Sequence, residues 1–534
     1  MATPTSIRRA LGRLVAGARA RPELVALLAL VGLGAAVRFG TLGLQSFDGG
    51  ETVTAYRVLH PSFFATMSEV ARTERSPPLY YALAWVWSRL FGTGEIGLRS
   101  LSALFGTLTI PFAYLAAREL ANRWAGVGAA FLVAVNPYLF WYSQEARSYA
   151  LVVMFVALGL YFFARALRDP RPRVLVAWAL VSALALTSHY FAAFVVGPEA
   201  LWLLLGRPRT RVRLIAVMAT GAAGLALLPL AVHQERSGRA NTFTHVPVLD
   251  RGATALIKFF SGEGRFRIDG LSSLSLSQIA AGGTSLALLA LGVAYLFRQG
   301  STTERRAAKV VGLLAGLGFC VPMMLALGGV DYVDSRNLIP ALVPLLVLGG
   351  IAVSSLRSVR LGAFGVVASG AAAATIVAIT AVNPALERND WRRAAELVGA
   401  VHAPQVLVTD VPAAKPLEYY LGPFDTLTPS AFPDGVVTHR VDVVSEGHPV
   451  HALGHGFRRV AIRRMPANWQ VDIFESARPR EVRPSWVADR QVLDWTSVAE
   501  VLDPQQALKP PSLELSAGAR TRQHSGPARH RDLR

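Results

Sequence analysis

Long apolar runs separated by short, arginine-rich loops organise this chain. The runs cover roughly 24–42, 78–91, 99–117, 124–141, 148–167, 174–188, 190–205, 214–232, 278–297, 310–328, 338–356 and 361–383. Most approach or exceed the ~18 apolar residues that cross a bilayer. Basic clusters punctuate them: Arg118 and Arg123; Arg165, Arg168, Arg171 and Arg173; Arg207, Arg209, Arg211 and Arg213; Arg298, Arg305, Arg306 and Lys309; Arg357 and Arg360. Short loops rich in Arg and Lys stay on the cytoplasmic side. Placing these clusters and the N-terminus there predicts that 43–98, 142–147, the Ser188–Tyr190 corner, 233–277, 329–337 and everything after 384 face outward. An odd number of crossings must then separate 43–77 from 118–123. Run 78–91 is short, opens at Pro77-Pro78 and carries Arg89. It is predicted to lie in the interface, which leaves about eleven true spans.

After Asn383-Pro384 the pattern turns soluble. Trp391, Ala394, Ala395 and Val398 share one face of a predicted helix, Trp391–Ala400. Val406–Val408, Val436–Val444 and Val460–Ile462 read as strands, and Ala413–Tyr420 as a second helix. The predicted organisation is a cytoplasmic basic N-terminus (1–23), a transmembrane domain (24–383), a small extracytoplasmic α/β domain (384–504) and a disordered basic tail (505–534). The fold class is mostly α, a polytopic membrane bundle.

Composition agrees. Of 534 residues, 52% are hydrophobic and 17% charged, against about a quarter charged in soluble proteins. The net charge of +19 comes almost wholly from arginine, since Lys258, Lys309, Lys415 and Lys509 are the only lysines. Those arginines sit between apolar runs, a membrane-loop pattern that argues against nucleic acid as a partner. Such usage, with abundant alanine and glycine, points to a GC-rich bacterial source. The single cysteine, Cys320, excludes an intrachain disulfide and a cysteine metal site. Arg8, Arg9, Arg13, Arg19 and Arg21 precede the first run with no clean cleavage site, so that run is read as a retained helix.

Chemistry concentrates in the outward loops. Ser46–Tyr56, SFDGGETVTAY, offers Asp48 and Glu51 on a glycine-rich turn, candidates for a general base and its partner. The same spacing also suits a capping box. Trp141–Tyr149 brings Tyr142, Gln144, Glu145, Arg147 and Tyr149 together at one depth. That is either an aromatic belt with an ion pair or a set of substrate ligands. In Asp331–Asn337, Arg336 is a phosphate clamp or the local partner of an aspartate. His189 and Tyr190 mark a weaker point, more in keeping with a structural hydrogen-bonder. Arg38 either snorkels or meets an anionic lipid head. Glu235, Arg265 and Arg267 show no readable pattern. No nucleotide loop, Walker motif or HExxH occurs. An outward-facing enzyme without cytoplasmic donors needs one tethered to a lipid.

Taken in order, SFDGGETVTAY, SPPLYYALAWVWSRLFG (76–92), EIGLRSLSALFG (95–106) and NPYLFWYSQEARSYAL (136–151) resemble the GT-C class of multispanning glycosyltransferases. The nearest branch looks like the family-39-related bacterial proteins grouped with protein mannosyltransferases and aminoarabinose transferases. DSRNLIPALVPLLVL (334–348) and DWRRAAELV (390–398) are weaker echoes. The resemblance implies eleven to thirteen helices and membrane-lying helices in the first external loop. It also implies inverting transfer of a sugar, mannose among the candidates, from a polyprenyl-phosphate carrier to an extracytoplasmic glycan, lipid or protein. A first-loop aspartate is its expected base. Here the family's adjacent Asp-Glu aligns with Gly50-Glu51, Asp48 lies two residues earlier, and Ser76 replaces the usual His before Pro-Pro. Either the turn returns Asp48 to the site, or Glu51 is the base, or catalysis is altered or lost. No cofactor is assigned, and a divalent metal is left open. The competing readings are a lipid-linked-sugar flippase, for which inverted repeats and midplane charges are missing, and an idle GT-C-like scaffold.

Overall fold

The computed structural model describes residues 21–207, 210–236, 246–263, 270–356, 389–446, 450, 452–454, 456–485 and 497–504. The run 361–383, Arg265 and Arg267, nearly all of the basic N-terminus and the tail from 505 lie outside them. The chain is mostly helical, with a small C-terminal sheet, and is a multi-pass membrane protein.

Within the described residues the apolar runs become helices. Pro22–Gly40, Glu95–Leu120, Tyr149–Arg168, Arg211–Glu235, Leu276–Gln299 and Thr302–Leu327 are long and apolar enough to cross a bilayer. Pro172–Ser188, Tyr190–Leu205 and Ile339–Ser355 are shorter apolar helices. Run 124–141 is a bent pair, Arg123–Val135 and Pro137–Ser143, at 60° to one another. Pro137 causes the break, because proline has no N–H and drives the preceding Asn136 out of helical geometry (ψ 121°). Asn136 then caps the second half, accepting from Leu139 N at 2.8 Å, and donates to Phe259 O at 2.8 Å. Arg38 fills the remaining gap. Its guanidinium donates to Val133 O and Ala134 O, both at 3.1 Å, carbonyls at the end of the broken helix.

Run 78–91 is the 13-residue helix Leu79–Phe91, about 20 Å long at 1.5 Å per residue and short of the ~30 Å hydrocarbon core. Helices approach closely where side chains are small. A Cβ on Gly350 would lie 2.8 Å from Ala125 O.

The C-terminal unit is a six-stranded sheet, order β2-β6-β1-β3-β5-β4, with β1 (Gln405–Asp410) parallel to β3 (Val436–Glu446). The other strands are β2 (Asp425–Thr426), β4 (Arg458–Arg464), β5 (Trp469–Val482) and β6 (Ser497–Leu502). Alternation along β1 sends Val406 and Val408 into one core and Leu407 into the other. That second core holds helices Trp391–Val398 and Val411–Leu421, which stitch the sheet to the first loop. Ser46 Oγ donates to Asn389 O (2.8 Å) and accepts from Trp391 N (3.0 Å). Phe47 N donates to the Tyr420 hydroxyl at 2.7 Å, and Arg392 pairs with Glu95.

Asp442 is buried within β3, 3.0 Å from Arg440 Nε. Burial pushes its carboxyl up to about 6, against the pull of Arg440. The folded group therefore holds its proton more tightly than the unfolded one. Its stabilising contribution is complete below the unfolded pKa of about 3.9 and is lost as pH rises through about 6. Asp442→Asn is expected to raise thermal stability above ~pH 7 and leave it nearly unchanged at ~pH 4. Melting curves of the two proteins across that range check this, and a variant that melts earlier at neutral pH contradicts it.

Candidate active site

The first loop is anchored by one buried ion pair. Asp48 starts a single helical turn, Gly49–Thr52, in a capping box with Glu51. Glu51 is fully buried. Arg99 Nε and Nη2 donate to its two oxygens at 2.8 and 2.7 Å, a bidentate pair. Asp48 N (3.0 Å) and Ala146 N (2.9 Å) donate to the same carboxylate. Arg99 also donates to the carbonyls of Leu42, Gln45 and Ser46. Glu51 thus joins the first loop, helix Glu95–Leu120 and the 145–147 loop. The turn continues as a π-helix, Val53–Val58, a form that recurs at functional sites.

Beside this anchor lies a cavity of ≈620 Å³. Its polar end takes Arg147, Glu74, Arg75 and Ser76 from the first half of the chain, Asp334, Arg336 and Asn337 from the 331–337 loop, and Lys415 from the C-terminal unit. Its other wall is apolar, with Leu186 and Phe191 facing Leu227, Leu228, Ala231 and Val232. That second group sits on Arg211–Glu235, and only 11% of the apolar window of this segment is buried inside the protein. Glu235 also lines it, so the cavity holds four basic side chains (Arg75, Arg147, Arg336, Lys415) and three carboxylates, and it grades from this charged end to an apolar wall on a lipid-facing helix.

Arg147 is the hub. It donates to Glu74 Oε2 at 2.9 Å and reaches Gly50 O and Thr54 Oγ1 at 3.4 Å. Burial opposes its charge, but Glu74 beside it raises the guanidinium well above its ordinary value. Tyr81 donates to the same glutamate at 2.5 Å. Arg336 lies 2.7 Å from Asp334, which likewise raises it. His189 accepts from Phe191 N at 3.2 Å, and burial, aided by Arg336 and Arg147, lowers its imidazole to about 4. It is a neutral hydrogen-bonding group at neutral pH.

Of the residues singled out in sequence, Arg147, Tyr149, His189, Tyr190 and Arg336 meet in this cavity. Asp48 and Glu51 do not line it, whereas Gly50, between them, does. Arg38 is also elsewhere. It is fully buried, neither snorkelling nor facing a lipid head, and donates to Ser143 Oγ at 3.1 Å as well as to the broken helix. Tyr142 donates to Glu263 (2.7 Å), itself paired with Lys258 (2.6 Å). Gln144 donates to Arg38 O and Thr41. Glu145 is buried outside the cavity lining. Of these, Tyr142 packs edge-on against Tyr149 of the cavity lining, with ring centroids 4.8 Å apart.

Sequence reasoning missed Glu74, Arg75, Gln234 and Lys415. The signal for the first two was present, a charged Glu-Arg step directly before Ser76-Pro77-Pro78. Gln234 carries no motif, yet it accepts from the Tyr190 hydroxyl (2.9 Å) and donates to Val70 O and Ser76 O. Among the described residues, no group of three or more His, Cys, Asp or Glu is arranged to hold a metal. The cavity carboxylates Glu74 and Asp334 are engaged by arginines, and the third, Glu235, accepts from the Tyr332 hydroxyl.

Residues 75–233 match the model of the dolichyl-phosphate-mannose-protein mannosyltransferase family. No curated protein matches the chain. Among solved structures, ArnT from Cupriavidus metallidurans in the apo state is 14% identical, with 84% of this chain and 97% of that one covered, at a TM-score of 0.49. The same protein bound to undecaprenyl phosphate gives 17% identity, 69% and 68% coverage and a TM-score of 0.43. The archaeal oligosaccharyltransferase AglB from Archaeoglobus fulgidus, with an inhibitory peptide and a dolichol-phosphate, gives 13% identity, 71% coverage of this chain and a TM-score of 0.46. This chain spans 58% of the length of AglB. The family match covers Arg75, Arg147, His189 and Tyr190 of the cavity, and over residues 75–233 the chain is similar to GT-C glycosyltransferases.

Proposed function

We propose that this protein is a membrane glycosyltransferase that moves a sugar from a polyprenyl-phosphate carrier to an acceptor hydroxyl on the outer face of the cytoplasmic membrane. The observation that carries the reading is the graded cavity, charged and arginine-bearing at one end and apolar against a lipid-facing helix at the other. A polyprenyl chain suits the apolar wall, and the phosphate suits Arg147 and Arg336, whose planar forks match its oxygens. ArnT is a relative whose structure holds undecaprenyl phosphate, and the matched family is named for dolichyl-phosphate-mannose. Mannose is accordingly the first donor sugar to test.

In the proposed reaction the acceptor oxygen forms a bond to the anomeric carbon as the bond from that carbon to the phosphate oxygen breaks. The carrier leaves as polyprenyl phosphate, its growing charge met by Arg147 and Arg336. Attack from the face opposite the phosphate inverts the anomeric centre. The acceptor proton passes to a carboxylate. Of the first-loop pair, Glu51 has its oxygens filled by Arg99, Asp48 N and Ala146 N. Asp48, only partly buried and capping the turn through its side chain, is the base in this reading, and Glu51 positions the turn that carries it. The cavity and the C-terminal domain face outward, and the arginine-rich loops face the cytoplasm.

The test is sugar transfer in membranes holding the full chain, supplied with radiolabelled polyprenyl-phosphate mannose and envelope acceptors. Asp48→Asn is expected to cut transfer by about 10²–10⁴-fold at normal expression, the usual worth of a positioned base. Full activity in that variant removes Asp48 from the role. A wild type that binds the carrier yet transfers no sugar from any donor defeats the enzyme reading in favour of a scaffold.

A further inference from the structure

A second, smaller cavity of ≈160 Å³ adjoins the first. Its lining is Thr52, Val53, Tyr56, His60, Lys415 and Glu418. Val53 and Lys415 belong to both cavities. The two chambers therefore meet at the π-helix of the first loop, under helix Val411–Leu421 of the C-terminal unit.

The chambers differ in chemistry. The larger has a long apolar wall, whereas five of the six residues of the smaller carry polar groups, namely two hydroxyls, an imidazole, an ammonium and a carboxylate. Tyr56 and Glu418 line this one small cavity, and burial and then the Glu418 carboxylate push the Tyr56 phenol up. A carboxylate accepts from a hydroxyl, an ammonium donates to one, and a tyrosine hydroxyl does either while its ring lies against C–H faces. This set reads hydroxyl pairs on a sugar ring and offers little to a hydrocarbon chain. The bonds of Ser46 to Asn389 and Trp391, and of Phe47 to Tyr420, hold the roof in place.

We propose that the smaller cavity is the acceptor site, that it takes a hydroxyl-rich glycan-type group, and that Tyr56 and Glu418 determine acceptor recognition. The proposal rests on the transferase reading above. It gives the C-terminal unit a share in the site, with Lys415 at the junction where donor and acceptor meet.

The experiment uses the full chain in membranes with Tyr56→Phe and Glu418→Gln, both near-isosteric. Two quantities are read: incorporation of radiolabelled mannose from polyprenyl-phosphate mannose against increasing envelope acceptor, and binding of polyprenyl phosphate alone. The expected result is an acceptor requirement raised about tenfold per variant, the worth of one charge-assisted hydrogen bond. Polyprenyl-phosphate binding is expected to stay at the wild-type level, which also reports that the variants are folded. Unchanged acceptor dependence overturns the proposal. So does a parallel loss of polyprenyl-phosphate binding, which would assign both residues to the donor chamber. Absence of incorporation by the wild type fails the transferase reading itself, a result distinct from wild-type transfer with indifferent variants.

Discussion

Glu51→Gln is expected to destabilise the whole protein rather than merely slow it. The substitution removes the charge that faces Arg99, and both side chains are shielded from solvent, at 2% and 0% side-chain exposure for Arg99 and Glu51. Breaking a buried pair by removing one partner costs about 3–5 kcal/mol, because the surviving charge stays desolvated and uncompensated. That is a large fraction of the ~5–15 kcal/mol that holds a typical domain folded. The expected observation is a marked loss of folded protein in detergent, read by size-exclusion profile and melting temperature. Arg99→Met should behave alike, and the double variant should recover part of the loss, because the interaction energy of two contacting residues is not additive. Wild-type stability in Glu51→Gln would mean that the pair does not anchor the loop. The contrast with Asp48→Asn separates the two carboxylates: one variant loses folded protein, the other keeps it and loses transfer.

The second large effect is expected at Arg336 and Arg147. Arg336→Ala removes a guanidinium fork from the polar end of the donor cavity and leaves Asp334, 2.7 Å away in the native chain, facing the incoming phosphate. Lost charge-assisted hydrogen bonds of about 1.5–3 kcal/mol each predict polyprenyl-phosphate affinity weaker by roughly ten- to a hundredfold. Arg336→Lys keeps the charge but not the fork and should fall between. Arg147→Ala should cost more than Arg336→Ala, because it also strips Glu74 of its 2.9 Å partner and releases Gly50 and Thr54. Binding of polyprenyl phosphate to each purified variant checks the order. Wild-type affinity in both alanine variants would remove the phosphate from this end of the cavity.

The apolar runs were legible because helix formation in a membrane is a local matter. A stretch with no polar groups satisfies its backbone internally wherever it lies. Runs 24–42, 148–167 and 338–356 accordingly match Pro22–Gly40, Tyr149–Arg168 and Ile339–Ser355. Run 124–141 is one apolar stretch in the sequence, and its 60° bend follows from Asn136-Pro137, a local signal within a strong apolar average. In the C-terminal unit, the short apolar run Val406–Val408 and the alternating Val436–Val444 became β1 and β3. β5 was not legible, since Trp469–Val482 interrupts its alternation with Ser476, Arg478, Pro479 and Arg480. Its partners β3 and β4 hold it as a strand.

The sequence by itself determined that the chain is a membrane bundle with a small α/β unit, and it singled out the loops that supply its candidate residues. It placed Arg147, Tyr149, His189, Tyr190 and Arg336 among the candidates, because polar groups flanking apolar runs are costly unless used. Only the tertiary structure decided the partners. It joined Glu51 to Arg99 across 48 residues. It drew Arg38 across 95 residues to Val133 O, and it brought Lys415 from a distant domain into the cavity. The physical reason is that hydropathy and caps act over a few residues along the chain. The partner of a buried charge is chosen by whichever helix the fold packs against it, and local sequence carries no record of that choice.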